Sequence, residues 1–230
     1  MHPEFITHTL LRIQDERCLI AQGPPPAQPP EWVAPALKRA PWVVVRRKQA
    51  TGTTLPVGVR GEQRHERWAA WLPKAAILER VTPQALAHQG AWLNAARRER
   101  IAALNALDAV GEIMRAHGLE GLWGPTGSVG FELASALPSA HAGSDLDLCV
   151  QLPGPPPVAL ARGLHGRLAT LAVRCDVLLE TPSGAIALAE YAQQPGSFVV
   201  RTPDGPRLWH APPVCAPGHA HGSVQVTTRS

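Results

Sequence analysis

The sequence predicts an α/β (α+β) protein, a mixed sheet flanked by helices, preceded by a smaller β-rich N-terminal domain. Three observations carry this. Short β-branched and Trp-rich runs crowd the stretch between Pro41 and Pro73. From Asn94 onward, apolar residues at helical spacing alternate with apolar runs of strand length. Many of the 24 prolines cluster in Gly23–Pro41, Pro153–Pro157 and Ala211–Gly218, which therefore read as connections. The expected organisation is a small β-rich domain with a Pro-rich segment over residues 1–85, the mixed-sheet domain over 90–210 and a flexible tail over 211–230.

Along the chain, WVVVRR from Trp42, TLPVGVRG from Thr54 and RWAAWLP from Arg67 read as strands. TPQALAH opens a helix with Thr82 as N-cap and Pro83 in its first turn. A long helix is expected from Asn94 to His117, because Ala103, Leu107, Val110 and Met114 recur at three- and four-residue spacing. Arg97, Arg98, Glu99 and Arg100 would fill its first turns, and Gly118 would stop it. LEGLWG then reads as a strand, GSVGFELASAL as a loop entering a helix, and SDLDLCVQL as a strand. VALARGLHGRLATL follows as a helix, AVRCDVLLE as a strand and SGAIALAEYAQ as a helix, with GSFVVRT and RLWH closing the sheet.

Composition narrows the class. In 230 residues, 45% are hydrophobic and 17% charged, which suits a globular core and not a disordered chain. The net charge of +4 comes without any run of five or six like charges, and few aromatics interleave with the basic residues. A dedicated nucleic-acid binder is disfavoured, while an anionic substrate or acidic partner fits. The four cysteines form no CxxC pair, so a reducing compartment is simpler than a disulfide framework or a zinc site. No signal pattern and no bilayer-length apolar run is visible, so the expectation is a cytoplasmic protein with no membrane partner.

The chemistry starts at GSDLDLCV. In a strand, residues two apart share a face, so Asp145 and Asp147 project together while Leu146, Leu148 and Val150 enter the core. Two adjacent carboxylates stay ionised only if solvent or a cation compensates them, and a hard divalent ion such as Mg²⁺ is the economical choice. In AVRCDVLLE, Arg174, Asp176, Leu178 and Glu180 share one face. If that strand neighbours the first, Asp176 becomes a third ligand for metal-assisted phosphoryl displacement. Cys149 then lies on the Asp face and Cys175 on the opposite one, so the two should not pair. Upstream, Gly127 and Ser128 open a helix whose free N–H groups suit phosphate oxygens. Arg60, Arg64, His65 and Arg67 form either an anion clamp or a solvated face balanced by Glu62 and Glu66. Arg46, Arg47 and Lys48 are equally open, and Glu132 and Glu180 either support the site or cap neighbouring elements. His219 and His221 read as part of the tail.

Gly127-Ser128 at a helix start, Asp145-x-Asp147 on a strand and Asp176 on a later strand together resemble the nucleotidyltransferase superfamily. Sixteen residues separate Ser128 from Asp145, which the sequence absorbs in an enlarged loop at ALPSAHAG. More closely, WGPTGSVGFELASALPSAHAGSDLDLCV, CDVLLETPSGAIALAEYA and LPVGVRGEQRHERWAAW resemble the phosphoribosyl-dephospho-CoA transferases, the holo-acyl-carrier-protein synthases of malonate decarboxylase. The similarity runs from about Trp42 to Arg201. It implies transfer of phosphoribosyl-dephospho-CoA from 2′-(5″-triphosphoribosyl)-3′-dephospho-CoA to a serine of the apo acyl carrier subunit, with loss of pyrophosphate. It also implies Mg²⁺ on Asp145, Asp147 and Asp176, and phosphate anchoring by Gly127 and Ser128. Two other readings use the same fold: a nucleotidyltransferase that takes an ordinary NTP, and a non-catalytic carrier-binding module.

Overall fold

The computed structural model describes residues 5–22, 28–63, 65–193 and 197–210. Two six-stranded sheets, each backed by helices, organise these residues. The first contains β1 (Leu10–Ile13), β2 (Ile20–Ala21), α1 (Val33–Arg39), β3 (Trp42–Val45), β4 (Thr54–Arg60), β5 (Arg67–Pro73) and β6 (Ile77–Val81). Its strand order is β2-β5-β4-β3-β1-β6, antiparallel throughout. The strands expected at Trp42, Thr54 and Arg67 are present. The strands at Leu10 and Ile77 carry no strong sequence signal and are found through their pairing.

The proline-rich stretch Gly23–Pro41 is not only a connection, because it contains α1. Pro35 sits in that helix's first turn, where its missing N–H leaves no intrahelical bond unmade. Val33 and Leu37 bury one side of α1 against Val43, Val45, Leu55, Val57 and Val59. Strand parity follows: the odd-numbered residues of β4 enter this core, so Gly58 and Arg60 face the other way.

The second sheet follows α2 (Pro83–His88), α3 (Ala102–Asn105) and α4 (Leu107–Ala116). It comprises β7 (Trp123–Pro125), α5 (Gly127–Ser135), β8 (Leu146–Gln151), α6 (Val158–Leu168), β9 (Cys175–Thr181), β10 (Gly184–Ala187), α7 (Leu188–Ala192), β11 (Ser197–Thr202) and β12 (Gly205–His210). The order is β12-β11-β10-β9-β8-β7, with only β8 and β9 parallel. Leu146, Leu148 and Val150 are at most 1% exposed and pack with Val177 and Leu179 against residues of α4 and α6. Each such burial contributes roughly 1.5–3 kcal/mol. Together they hold the strand in place despite the carboxylates on its other face.

Three expectations are corrected. The Asn94–His117 helix is interrupted: a 3-10 turn spans Arg98–Arg100, Ile101 is extended, and α3 and α4 follow. Tertiary contacts outweigh helical spacing here, since Trp92 and Ile101 are drawn into the core and Trp92 Nε1 donates to Asp108 at 2.7 Å. Gly118 does end α4, at φ +68°. SGAIALAEYAQ is not one helix, because β10 pairs with β9 first and only α7 is helical. LEGLWG contributes only its last two residues to β7.

The two sheets meet through apolar contacts. Leu10, Ala40 and Trp42 of the first pack with Phe131, Ala134 and Leu137 from α5 and the residues after it. Residues 211–230, with His219, His221 and the expected tail, lie outside the described residues, as does Arg64.

Candidate active site

Backbone register builds the site. β7 runs antiparallel to β8 with Trp123 opposite Val150 and Pro125 opposite Leu148. The ladder continues one step further, Thr126 N–H donating to the Asp147 carbonyl at 2.8 Å. The chain then turns at Gly127, φ +58°, into α5. This turn carries the backbone of Gly127 against the Asp147 side chain: a Cβ there would lie 2.8 Å from Asp147 Cγ and closer still to Oδ2. Only glycine combines this approach with a left-handed φ. Thr126 makes no side-chain cap, so the first-turn N–H groups of α5, including those of Gly127 and Ser128, remain for an anion.

β8 and β9 run parallel with Asp147 directly opposite Asp176. Asp145 immediately precedes β8, and all three carboxylates line one cleft of ≈ 750 Å³. Burial, reinforced by Asp176 and Asp145, holds the Asp147 carboxyl above the ordinary carboxylate range, while His8 and Arg60 pull the other way. The donor set fits a hard divalent cation, with oxygen ligands only and negative charge concentrated on one wall. As the side chains stand, the exposed Arg174 supplies that compensation. It binds Asp176 at 2.8 and 3.0 Å and lies 3.7 Å from Asp145. Among the described residues no group of three His, Cys, Asp or Glu side chains is arranged to hold a metal ion. An ion pair so fully exposed to solvent is weak, so Arg174 is easily displaced.

The opposite wall comes from the first sheet. Arg60 and Arg67 are cross-strand partners on β4 and β5, and both line the cleft with Gly58 and Ala69. Like charges in direct cross-strand register are unfavourable unless an anion sits between or above them. Burial and then Arg67 press the Arg60 guanidinium below its ordinary range, and Asp147 opposes this. Arg60 has no hydrogen bond among the described residues, whereas Arg67 Nη1 is anchored to the Glu66 carbonyl at 2.9 Å. Of the other basic residues, Arg46 lines the same cleft and donates to Gln22 at 3.1 Å, whereas His65 is exposed and Lys48 lies 5.3 Å over the Trp71 ring.

Glu132 and Glu180 both have work in the fold. Buried on α5, Glu132 Oε2 accepts from Ser139 N and Ala140 N, each at 2.9 Å, and from Arg97 Nη1 at 3.2 Å. Arg97 Nη2 also donates to the Ala140 carbonyl at 2.9 Å, so the pair fastens the enlarged loop before Asp145. Ser139, His141 and Gly143 of that loop line the cleft. Glu180 lies on the Asp176 face of β9 and is bound from the first sheet by His8 Nε2 at 3.0 Å and by Arg47. Burial would raise the Glu180 carboxyl, but His8 and Arg47 outweigh it and hold the group below its ordinary value. Burial pushes the Cys149 thiol up to about 12 and the Cys175 thiol up to about 11, and both are free, as strand parity requires. His8 and Arg174 carried no assigned role in the sequence. Nothing local marks an isolated histidine, and Arg174 differs from any strand-flanking arginine only through its neighbours.

Comparison with known proteins bears on this arrangement. Residues 7–83 match the family model described as the phosphoribosyl-dephospho-CoA transferase MdcG N-terminal domain, and residues 85–212 match the corresponding C-terminal domain. A phosphoribosyl-dephospho-CoA transferase of Pseudomonas putida is 39% identical over 183 residues, covering 80% of this chain and 85% of the relative. One from Pseudomonas syringae pv. tomato is 37% identical, covering 83% and 90%. One from Klebsiella pneumoniae is 36% identical, covering 78% and 86%. No solved structure matches.

Proposed function

Because the chain belongs to the phosphoribosyl-dephospho-CoA transferase family, we propose that it loads the prosthetic group of malonate decarboxylase. It moves phosphoribosyl-dephospho-CoA from 2′-(5″-triphosphoribosyl)-3′-dephospho-CoA onto a serine of the apo acyl carrier subunit and releases pyrophosphate. The observation that carries this reading is the two-walled cleft, with Asp147 and Asp176 in cross-strand register beside the α5 N-terminus and Arg60 with Arg67 facing them.

A triphosphate carries more negative charge than one arginine balances, and this cleft distributes donors around it. The N–H groups at Gly127 and Ser128 donate to the outer phosphate oxygens, and Arg60 and Arg67 neutralise them from above. Asp145, Asp147 and Asp176 would hold Mg²⁺, which when bound supplies charge neutralisation at the reacting phosphate and lowers the pKa of the attacking hydroxyl. The nucleophile belongs to the carrier, so the protein's contribution at the triphosphate is positioning and electrostatics. The described helices include none long and apolar enough to cross a membrane, and the mildly basic surface suits an acidic carrier.

The test is to incubate the protein with Mg²⁺, the triphosphoribosyl donor and apo carrier, then weigh the carrier by mass spectrometry. A mass gain equal to the prosthetic group is expected, and Asp147→Asn should abolish it without unfolding the chain. A gain only with an ordinary NTP, or carrier binding with no gain, would refute the assignment.

A further inference from the structure

His8 is the outlier of the described backbone that function can explain. It is one of two non-glycine residues there with positive φ, at +71°, a region that costs such residues about 1–3 kcal/mol. The strain places its ring between the two sheets, where it lines the cleft with Asp147 and Asp176 and also the smaller cavity behind them. On one side the ring is fixed, since Nε2 lies 3.0 Å from Glu180 Oε1. Glu180 is buried, bound also by Arg47 and held ionised, so it can only accept. The proton of neutral His8 must therefore sit on Nε2. Nδ1 is left as a bare acceptor, and it has no hydrogen-bond partner among the described residues. On its other side the ring opens onto the cleft that Asp147 and Asp176 line. A carboxylate orienting an imidazole that lines the cleft of the reacting groups is the arrangement of a general base.

We propose that His8 Nδ1 takes the proton of the incoming serine hydroxyl, with Glu180 and Arg47 acting as positioning residues. This rests on the reading of the substrates above. The serine Oγ–H bond breaks to His8 Nδ1 as the Oγ–P bond forms at the phosphorus attached to the ribose. The P–O bond to pyrophosphate breaks, and pyrophosphate departs with that electron pair. Of the charged groups about the ring, Glu180 from β9 bonds it, Arg47 after β3 shares that carboxylate, and Asp147 and Asp176 line the same cleft. A purely structural His8 would tie the sheets together and nothing more.

The test is His8→Gly in the full chain. Glycine accepts the left-handed backbone without strain, and Glu180 keeps Arg47, so the variant should fold. Single-turnover transfer should fall about 10²–10⁴-fold with donor binding unchanged, and added imidazole should recover at least about tenfold. Transfer within about threefold of wild type, or a deep loss that imidazole leaves untouched, overturns the proposal. A wild-type protein that loads no carrier would count against the substrate assignment instead. Independent of any carrier, ¹⁵N NMR of the wild-type chain should show His8 as the Nε2-protonated tautomer, and an Nδ1-protonated ring would overturn the proposal on its own.

Discussion

Replacing Gly127 by alanine separates the backbone's conformational demand from its approach to Asp147. Two costs are expected. The first is the left-handed φ of +58°, about 1–2 kcal/mol for an L side chain, or about 2–8 °C in Tm for a chain of this size. The second is steric: the added Cβ stands 2.8 Å from Asp147 Cγ, where ordinary contact begins near 3.4 Å, and it lies closer still to the carboxylate oxygen. Asp147 must swing by about 1 Å, and a misplacement of that size at a reacting centre costs about 10²-fold in rate. Gly118→Ala is the matched control, with φ +68° and nothing within 4 Å of its would-be Cβ. Differential scanning calorimetry should show similar Tm losses in both variants. Carrier loading followed by mass spectrometry should fall about 10²-fold in Gly127→Ala and stay near wild type in Gly118→Ala. If both variants load the carrier at the same rate, the approach of Gly127 to Asp147 has no catalytic meaning.

Arg60→Met should weaken donor binding by about 10–100-fold in calorimetric titration, the worth of a charge-assisted contact. Its Tm should hold or rise, because Arg67 loses a like-charged cross-strand partner. Glu132→Ala leaves two backbone N–H groups without their acceptor and Arg97 with only the Ala140 carbonyl, so urea denaturation should show a loss of about 3–5 kcal/mol. Limited proteolysis of the same variant should cut within residues 136–144. The Glu180 carboxyl is depressed in the folded state, so its stabilising contribution is present above its unfolded value of 4.5 and is lost as pH falls through the lower folded value. Tm followed from pH 7 down to about 3 should therefore drop more steeply in wild type than in Glu180→Gln, and parallel curves would show that the His8–Arg47 tie contributes nothing.

Much of the site was legible in the sequence because its signals are local. A period of two along residues 144–152 and 172–180 is enough to put Asp145 with Asp147, Asp176 with Glu180, and Cys149 apart from Cys175. Thr82 and Gly118 acted at helix ends as their chemistry requires. The misread elements are those where a contact distant in sequence outweighs local spacing. Residues 94–106 carry helical periodicity, yet Trp92 and Ile101 are held by the core and Arg97 by Glu132, so the helix breaks. Residues 183–187 suit a helix and become β10, because the edge of β9 offers a ladder.

What the sequence by itself determined is which residues share a face, since strand and helix periods are properties of neighbouring peptide units. Which faces meet was decided only by tertiary structure. Asp147 stands opposite Asp176 because β8 and β9 run parallel in one particular register, and a slip of one residue would turn every side chain of the strand over. Arg60 faces those acids because α1 claims the other side of β4. His8 meets Glu180 across 172 residues of chain because the apolar contacts of Leu10, Ala40 and Trp42 with α5 fix one sheet upon the other. Contacts of that range depend on how whole buried surfaces fit, and no short stretch of sequence contains both halves of the fit.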